Sequence, residues 1–373
     1  MDVRKPTSKV EEDRAADDQA DDVPVTDDES VEAAPVPVEA APVPPVPPRH
    51  NPLWTDMLRL MLVLGGCFIL TDIILSALLD VTVVFFDPQT QSYLADRTNM
   101  GESLGSVLND PATTQYLIER IVAYAPWMSV IGDLATVALF LIIRKKKLFT
   151  SDLTTTQPVN NHWSELGVAL LFIFGIQMVL SLVDAVISLS GYDPASVQST
   201  LLGGSESTVS GVILIMIVAP FLEEWIFRGA ILRQLQPYGV NFAIVTQATL
   251  FGLWHGNLYQ GVFAFLLGLV LGYVAVHFSL KWSYALHAVN NGLAILMGAS
   301  WMPEWVPWAV FGLGLVASVV IIVYFRKVIP VVIGEGAPQI EHPFRQGWRN
   351  PAFIVVTAVL FVMSFISMVT IGN

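Results

Sequence analysis

Residues 208–228 read TVSGVILIMIVAPFLEEWIFR. From Val209 to Leu222 there is no ionisable side chain, and then Glu223, Glu224 and Arg228 follow within about two turns. A helix of roughly 20 mostly apolar residues is what a bilayer core requires. This stretch therefore reads as a membrane helix that carries charge at one end. Ionisable groups at membrane depth are costly and mark function by default.

Comparable apolar runs lie on both sides, near 58–79, 123–143, 165–190, 240–255, 258–278, 283–299, 305–325 and 352–371. Those at 240–255 and 283–299 are short for full spans. The expectation is an all-α, polytopic transmembrane helix bundle of about eight or nine spans. Composition agrees: of 373 residues, 54% are hydrophobic and 14% charged, against about 25% charged in a soluble domain. Mean hydropathy is +0.59. An ordinary soluble enzyme and a nucleic-acid binder are both excluded.

The net charge of −13 is uneven. Residues 1–50 hold 13 acids and 5 basic residues, nine of the 23 prolines, and no Phe, Trp or Tyr. Such a segment cannot offset its conformational entropy by burial, so a disordered, acidic, Pro-rich cytoplasmic tail is expected. Behind it come N-terminal transmembrane helices over 51–205, a transmembrane core over 206–300, and C-terminal transmembrane helices over 301–373. Cys67 is the one cysteine, which excludes an internal disulfide.

Lys and Arg placement sets the orientation. Arg49 and Arg59, the Arg144–Lys147 run, Lys281, and Arg326 with Lys327 fall on one side if the N-terminus is cytoplasmic. The mixed, acid-rich loop between the first two spans, roughly 80–122, and the Lys/Arg-free stretch 191–207 then lie outside. This suits an integral protein of the cell membrane. Gly261, Gly268 and Gly272 are spaced for one small, closely packing helix face.

Asp72, Asp133 and Asp184 are isolated acids and read as structural partners. By contrast, Glu223, Glu224, Arg228, His255, His287 and Asn291 crowd into 69 residues. Glu224 and Arg228 are four apart and can pair along one face. Phe251 and His255 share a face, as do His287 and Asn291. A glutamate in an apolar bundle suits general-base duty toward a water, which His255 would share. His287 and Asn291 would donate to an oxyanion. Alternatively, Glu223, His255 and His287 match the ligand set of a catalytic zinc with one open position, although no His-Glu-x-x-His helix is present.

Glu223-Glu224-Trp-Ile-Phe-Arg228, Phe251 to His255, and His287 to Asn291 resemble, in order and setting, three motifs of the CPBP family. That family comprises the type II CAAX prenyl endopeptidases and related bacteriocin-processing membrane proteases. The resemblance implies an intramembrane peptidase. Glu223 would activate water with His255, His287 and Asn291 would form the oxyanion side, and Glu224 with Arg228 a supporting pair. The lack of a His-Glu-x-x-His helix and the presence of Asn291, a good amide donor but a poor zinc ligand, favour a metal-free mechanism, with zinc as the alternative cofactor. The implied partners are the lipid bilayer and a membrane-embedded or lipidated peptide substrate, with no nucleic acid. Competing functions are a non-catalytic binding or immunity protein of the same fold and a proton-coupled transporter.

Overall fold

The computed structural model describes residues 52–69, 74–144, 163–189, 208–325 and 340–371. The tail, Asp72, the loop 191–207, and the basic residues Lys145–Lys147, Arg326 and Lys327 lie outside them. Pro48–Asn373 forms one unit by its internal contacts. Among the described residues the chain is all-helical.

In chain order the helices are α1 (Pro52–Ile69), α2 (Ser76–Phe86), α3 (Pro88–Asn99), α4 (Leu104–Leu108), α5 (Pro111–Arg144) and α6 (Trp163–Ser188). Next comes α7 (Val209–Tyr238). It is followed by α8 (Val240–Trp254), α9 (Leu258–His277), α10 (Leu280–Met297), α11 (Trp305–Phe325), α12 (Pro343–Trp348) and α13 (Pro351–Ile371).

Four helices are long and apolar enough to cross a membrane: Ser164–Ser188, Val209–Tyr238, Leu258–His277 and Trp305–Tyr324. Shorter apolar stretches occur at Ala77–Phe86, Val130–Leu139, Val240–Trp254 and Pro351–Ser367. These are the helices an integral membrane protein requires.

The expected boundaries differ most at 80–122. A connecting loop was expected there, and the structure instead has a folded cap of α2, α3, α4 and the first turns of α5. Local signals account for it. Pro88 opens α3 behind Asp87, whose side chain accepts from Thr90 N, and Ser103 caps α4 by accepting from Ser106 N. Asp and Ser before a helix satisfy amides that have no intrahelical acceptor.

The core lies where α1, α7 and α8 meet. Leu53, Met57, Leu60 and Met61 pack with Phe227, Ile231, Phe242 and Phe251 in one buried cluster. A second cluster joins Ile173 of α6 to Leu267, Leu271 and Val274 of α9. Between the clusters, α8 and α9 approach very closely. A Cβ on Gly261 would stand 2.8 Å from the Gly252 carbonyl oxygen, and one on Gly268 would stand 3.1 Å from Ala248 Cα. Gln247 donates across this contact to the Gly268 carbonyl at 2.7 Å. The α8–α9 pair is thus a rigid platform, and it fixes where α8 ends.

α7 is irregular. It turns π-helical over Leu214–Val218 and again over Trp225–Leu232, on either side of Ala219–Glu224. Pro220 has no amide to donate to the turn before it, which gives the first irregularity a cause. Widened turns of this kind occur often at functional sites.

Candidate active site

His255 stands where α8 stops. It is the C-cap residue, Gly256 follows at φ +69°, and Asn257 then caps α9 by accepting from Gln260 N. The left-handed glycine ends one helix and the asparagine starts the next. Those two residues hold the imidazole at a fixed corner. His255 Nδ1 lies 2.8 Å from the Phe251 carbonyl. A carbonyl only accepts, so Nδ1 carries the proton and, in the neutral ring, Nε2 keeps its lone pair.

The two neighbouring glutamates have unlike surroundings. Glu224 is 1% exposed and gripped from three sides. Its Oε1 lies 3.0 Å from Arg228 Nη1 and 2.9 Å from His287 Nδ1, and its Oε2 accepts from Ser283 Oγ. Glu223 is more open, with a side chain 16% exposed, and its Oε2 faces His287 Nε2 at 3.7 Å. His287 therefore lies between the two carboxylates. With Nδ1–H donating to Glu224, its Nε2 is directed toward Glu223.

Arg228 is fully buried. Its Nη1 is within ion-pair distance of Glu224, yet none of its nitrogens is aligned for a hydrogen bond with a protein acceptor. The guanidinium lies over the Phe251 ring, 4.2 Å from its centroid. The same ring meets His255 edge-on at 4.8 Å and His287 at 5.7 Å. Phe251 is thus the wall on which the two histidines and the arginine are arranged, and cation–π attraction favours the stacking.

The structure brings Glu223, Glu224, Arg228, His255 and His287 together around Phe251. Asn291 is placed differently. Its Nδ2 donates to the Ile215 carbonyl at 3.0 Å, in the first π-helical stretch, and its Oδ1 accepts from Asn290. In this conformation Asn291 ties α10 to α7, with one of its two amide hydrogens directed to the Ile215 carbonyl.

Sequence reasoning underweighted two residues. Ser283, buried and bonded to Glu224, lies one turn before His287 on the same face of α10; that spacing was a readable signal. Asp133 of α5 is 2% exposed, accepts a hydrogen bond from the Trp254 indole, and acts electrostatically on Glu223. It read as an isolated structural acid because its neighbours come from distant parts of the chain. Asp184 accepts a hydrogen bond from the Tyr259 hydroxyl in the first turn of α9.

Among the described residues no group of three His, Cys, Asp or Glu side chains is assembled to hold a metal ion. In both histidines Nδ1 is engaged, by the Phe251 carbonyl in His255 and by Glu224 in His287, which leaves Nε2 as the open nitrogen of each ring, the orientation that a zinc-ligating histidine also takes.

Residues 205–293 match the family model described as type II CAAX prenyl endopeptidase Rce1-like. The match covers about a quarter of the chain and contains Glu223, Glu224, Arg228, His255, His287 and Asn291. It supports assignment to the CPBP/CAAX protease family and a peptidase role. Asp133 lies outside it. The chain has no significant match to a curated protein or a solved structure.

Proposed function

We propose that this protein is an intramembrane endopeptidase that hydrolyses a peptide bond of a membrane-associated or lipid-modified protein or peptide. The carrying observation is the inequality of the two glutamates. Glu224 is clamped by Arg228, Ser283 and His287, whereas Glu223 keeps an accessible carboxylate beside the histidine. A general base has to reach water; a carboxylate with three partners is a scaffold.

In this mechanism Glu223 takes a proton from a water that His255 Nε2 also holds. The water oxygen attacks the scissile carbonyl carbon, and the carbonyl electron pair moves onto oxygen. His287 acts as the imidazolium, giving Nδ1–H to Glu224 and Nε2–H to that oxyanion. Glu223 then returns the proton to the departing amine as the C–N bond breaks. A positioned general base contributes about 10²–10⁴ in rate, and one oxyanion donor about 10²–10³. Asn291 joins the oxyanion side by exchanging its Ile215 contact for the substrate.

The bundle is proposed to cross the cell membrane eight or nine times with its N-terminus inside. A cytoplasmic location for a reporter after Lys147, and an external one for a reporter in 88–110, is the expected result.

The function is tested with protein in lipid vesicles and a farnesylated C-terminal peptide, together with proteomics of membranes carrying wild type or E223Q. Cleavage that survives exhaustive chelation and disappears in E223Q supports the proposal. Cleavage that is switched off and on by removing and restoring stoichiometric zinc replaces it with the metal form. Substrate capture without any cleavage replaces it with a binding protein.

A further inference from the structure

At the end of the bundle where α1 and α13 begin, the short helix α12 borders an open cavity of about 400 Å³. Its lining is Trp54, Glu341, His342, Arg345, Gln346 and Arg349. The inner side of α12 is fastened to the bundle. A Cβ on Gly347 would stand 2.6 Å from the Phe242 ring, so only glycine allows this approach. Trp348 Nε1 donates to Thr246 at 3.0 Å, and the buried Asn350 donates to the Trp54 carbonyl at 3.0 Å. His342, at φ 52°, is the one non-glycine residue with positive φ among the described residues. The backbone around the cavity is therefore held in place.

The outer side carries Arg345 and Arg349, both exposed. They are four residues apart, and like charges at that spacing on a helix repel. Among the described residues neither forms an ion pair, although Glu341 lines the same cavity. The apolar stretch Pro351–Ser367 starts directly after Arg349, and Trp54 is 41% exposed beside it. Tryptophan at such a boundary marks the headgroup level of a bilayer. Paired guanidinium groups suit phosphate oxygens, and basic pockets between membrane helices suit anionic headgroups.

We propose that this cavity binds the phosphate of an anionic phospholipid headgroup, held by Arg345 and Arg349 with Trp54 against the glycerol and upper acyl region. The ligand relieves the repulsion between the two arginines and ties α1 to α13 at the membrane surface.

The test is native mass spectrometry of the full-length protein in detergent, with phosphatidylglycerol, phosphatidylcholine or inorganic phosphate added separately. Wild type should retain phosphatidylglycerol at least tenfold better than phosphatidylcholine, and R345Q/R349Q should lose that preference. R345K/R349K, which keeps the charge without the planar fork, should lose it several-fold. R59Q, which removes a positive charge from α1 outside the cavity, should keep it. A R345Q/R349Q variant that folds and retains the wild-type preference overturns the site. Inorganic phosphate that displaces phosphatidylglycerol at equal concentration overturns the lipid assignment.

Discussion

Two polar clusters, one in the cap and one inside the bundle, satisfy their charges in opposite ways. In the cap, Asp87 accepts from Thr90, from Arg120 Nε and Nη2 at 3.1 and 2.8 Å, and from Tyr124. Arg97 likewise forks onto Glu102 at 3.0 and 2.8 Å and reaches Asp110 at 3.0 Å. Each of these carboxylates has an arginine partner with well-aligned donors. In the bundle a single arginine, poorly aligned, stands with Glu224, while Glu223 and Asp133 lie nearby without a cation of their own. Satisfied charges hold structure together. The unsatisfied ones, in surroundings where they are most costly, are where chemistry is expected.

Removing charge separately from each cluster tests this contrast, and the largest effect is expected at Glu223. E223Q should lower peptide cleavage by about 10³-fold or more while leaving the purified protein folded, combining loss of the base with loss of water alignment. E224Q should lower activity too, but with a clear fall in melting temperature, because it strips partners from Arg228, Ser283 and His287. Equal melting behaviour of the two variants would break the distinction between base and scaffold.

Asp133 comes next. D133N keeps an acceptor for the Trp254 indole but removes the charge that acts on Glu223. Cleavage should fall about tenfold, roughly 1.4 kcal/mol of barrier, with little change in melting temperature. A loss of folded protein without a specific change in rate per folded molecule would move Asp133 to the structural side.

The cap variants should leave activity alone. D87N removes a buried charged acceptor and should destabilise the cap by about 1–3 kcal/mol. R97Q, at a more exposed network, should lower stability less than D87N does. Arg120 holds the Asp87 carboxyl well below the usual carboxylate range. Arg97 lowers Asp110 in the same direction. Both stabilise the folded cap while ionised. Their contribution is complete above the unfolded-state value near 4 and is lost as pH falls below it. Hydrogen exchange over residues 88–120 should be flat from pH 8 to 5, after correction for intrinsic rates, and show lost protection below about pH 4.

Much of this was legible in the sequence because the signals are local. The helices near 165–190, 258–278 and 305–325 are apolar runs of spanning length, and their ends fall within a few residues of those expected. The pairing of Glu224 with Arg228, and the shared face of Phe251 and His255, follow from four-residue spacing. What was not legible depends on tertiary proximity. Nothing in the residues around Asp133 points to Trp254, which follows it by more than a hundred positions. The engagement of Asn291 by Ile215 likewise depends on how α10 meets the irregular turn of α7. Within the cap, α3 and α4 were missed because short polar helices between apolar runs resemble loops when hydropathy alone is considered.

The most direct test of the central claim is to follow the oxygen of the attacking water. Wild-type protein in vesicles, given a farnesylated C-terminal peptide in ¹⁸O-labelled water with metal chelated, should yield a product whose new carboxylate carries one ¹⁸O. E223Q under the same conditions should yield essentially none. Labelled product formed by E223Q at the wild-type rate would contradict the assignment of Glu223 as the water-activating base.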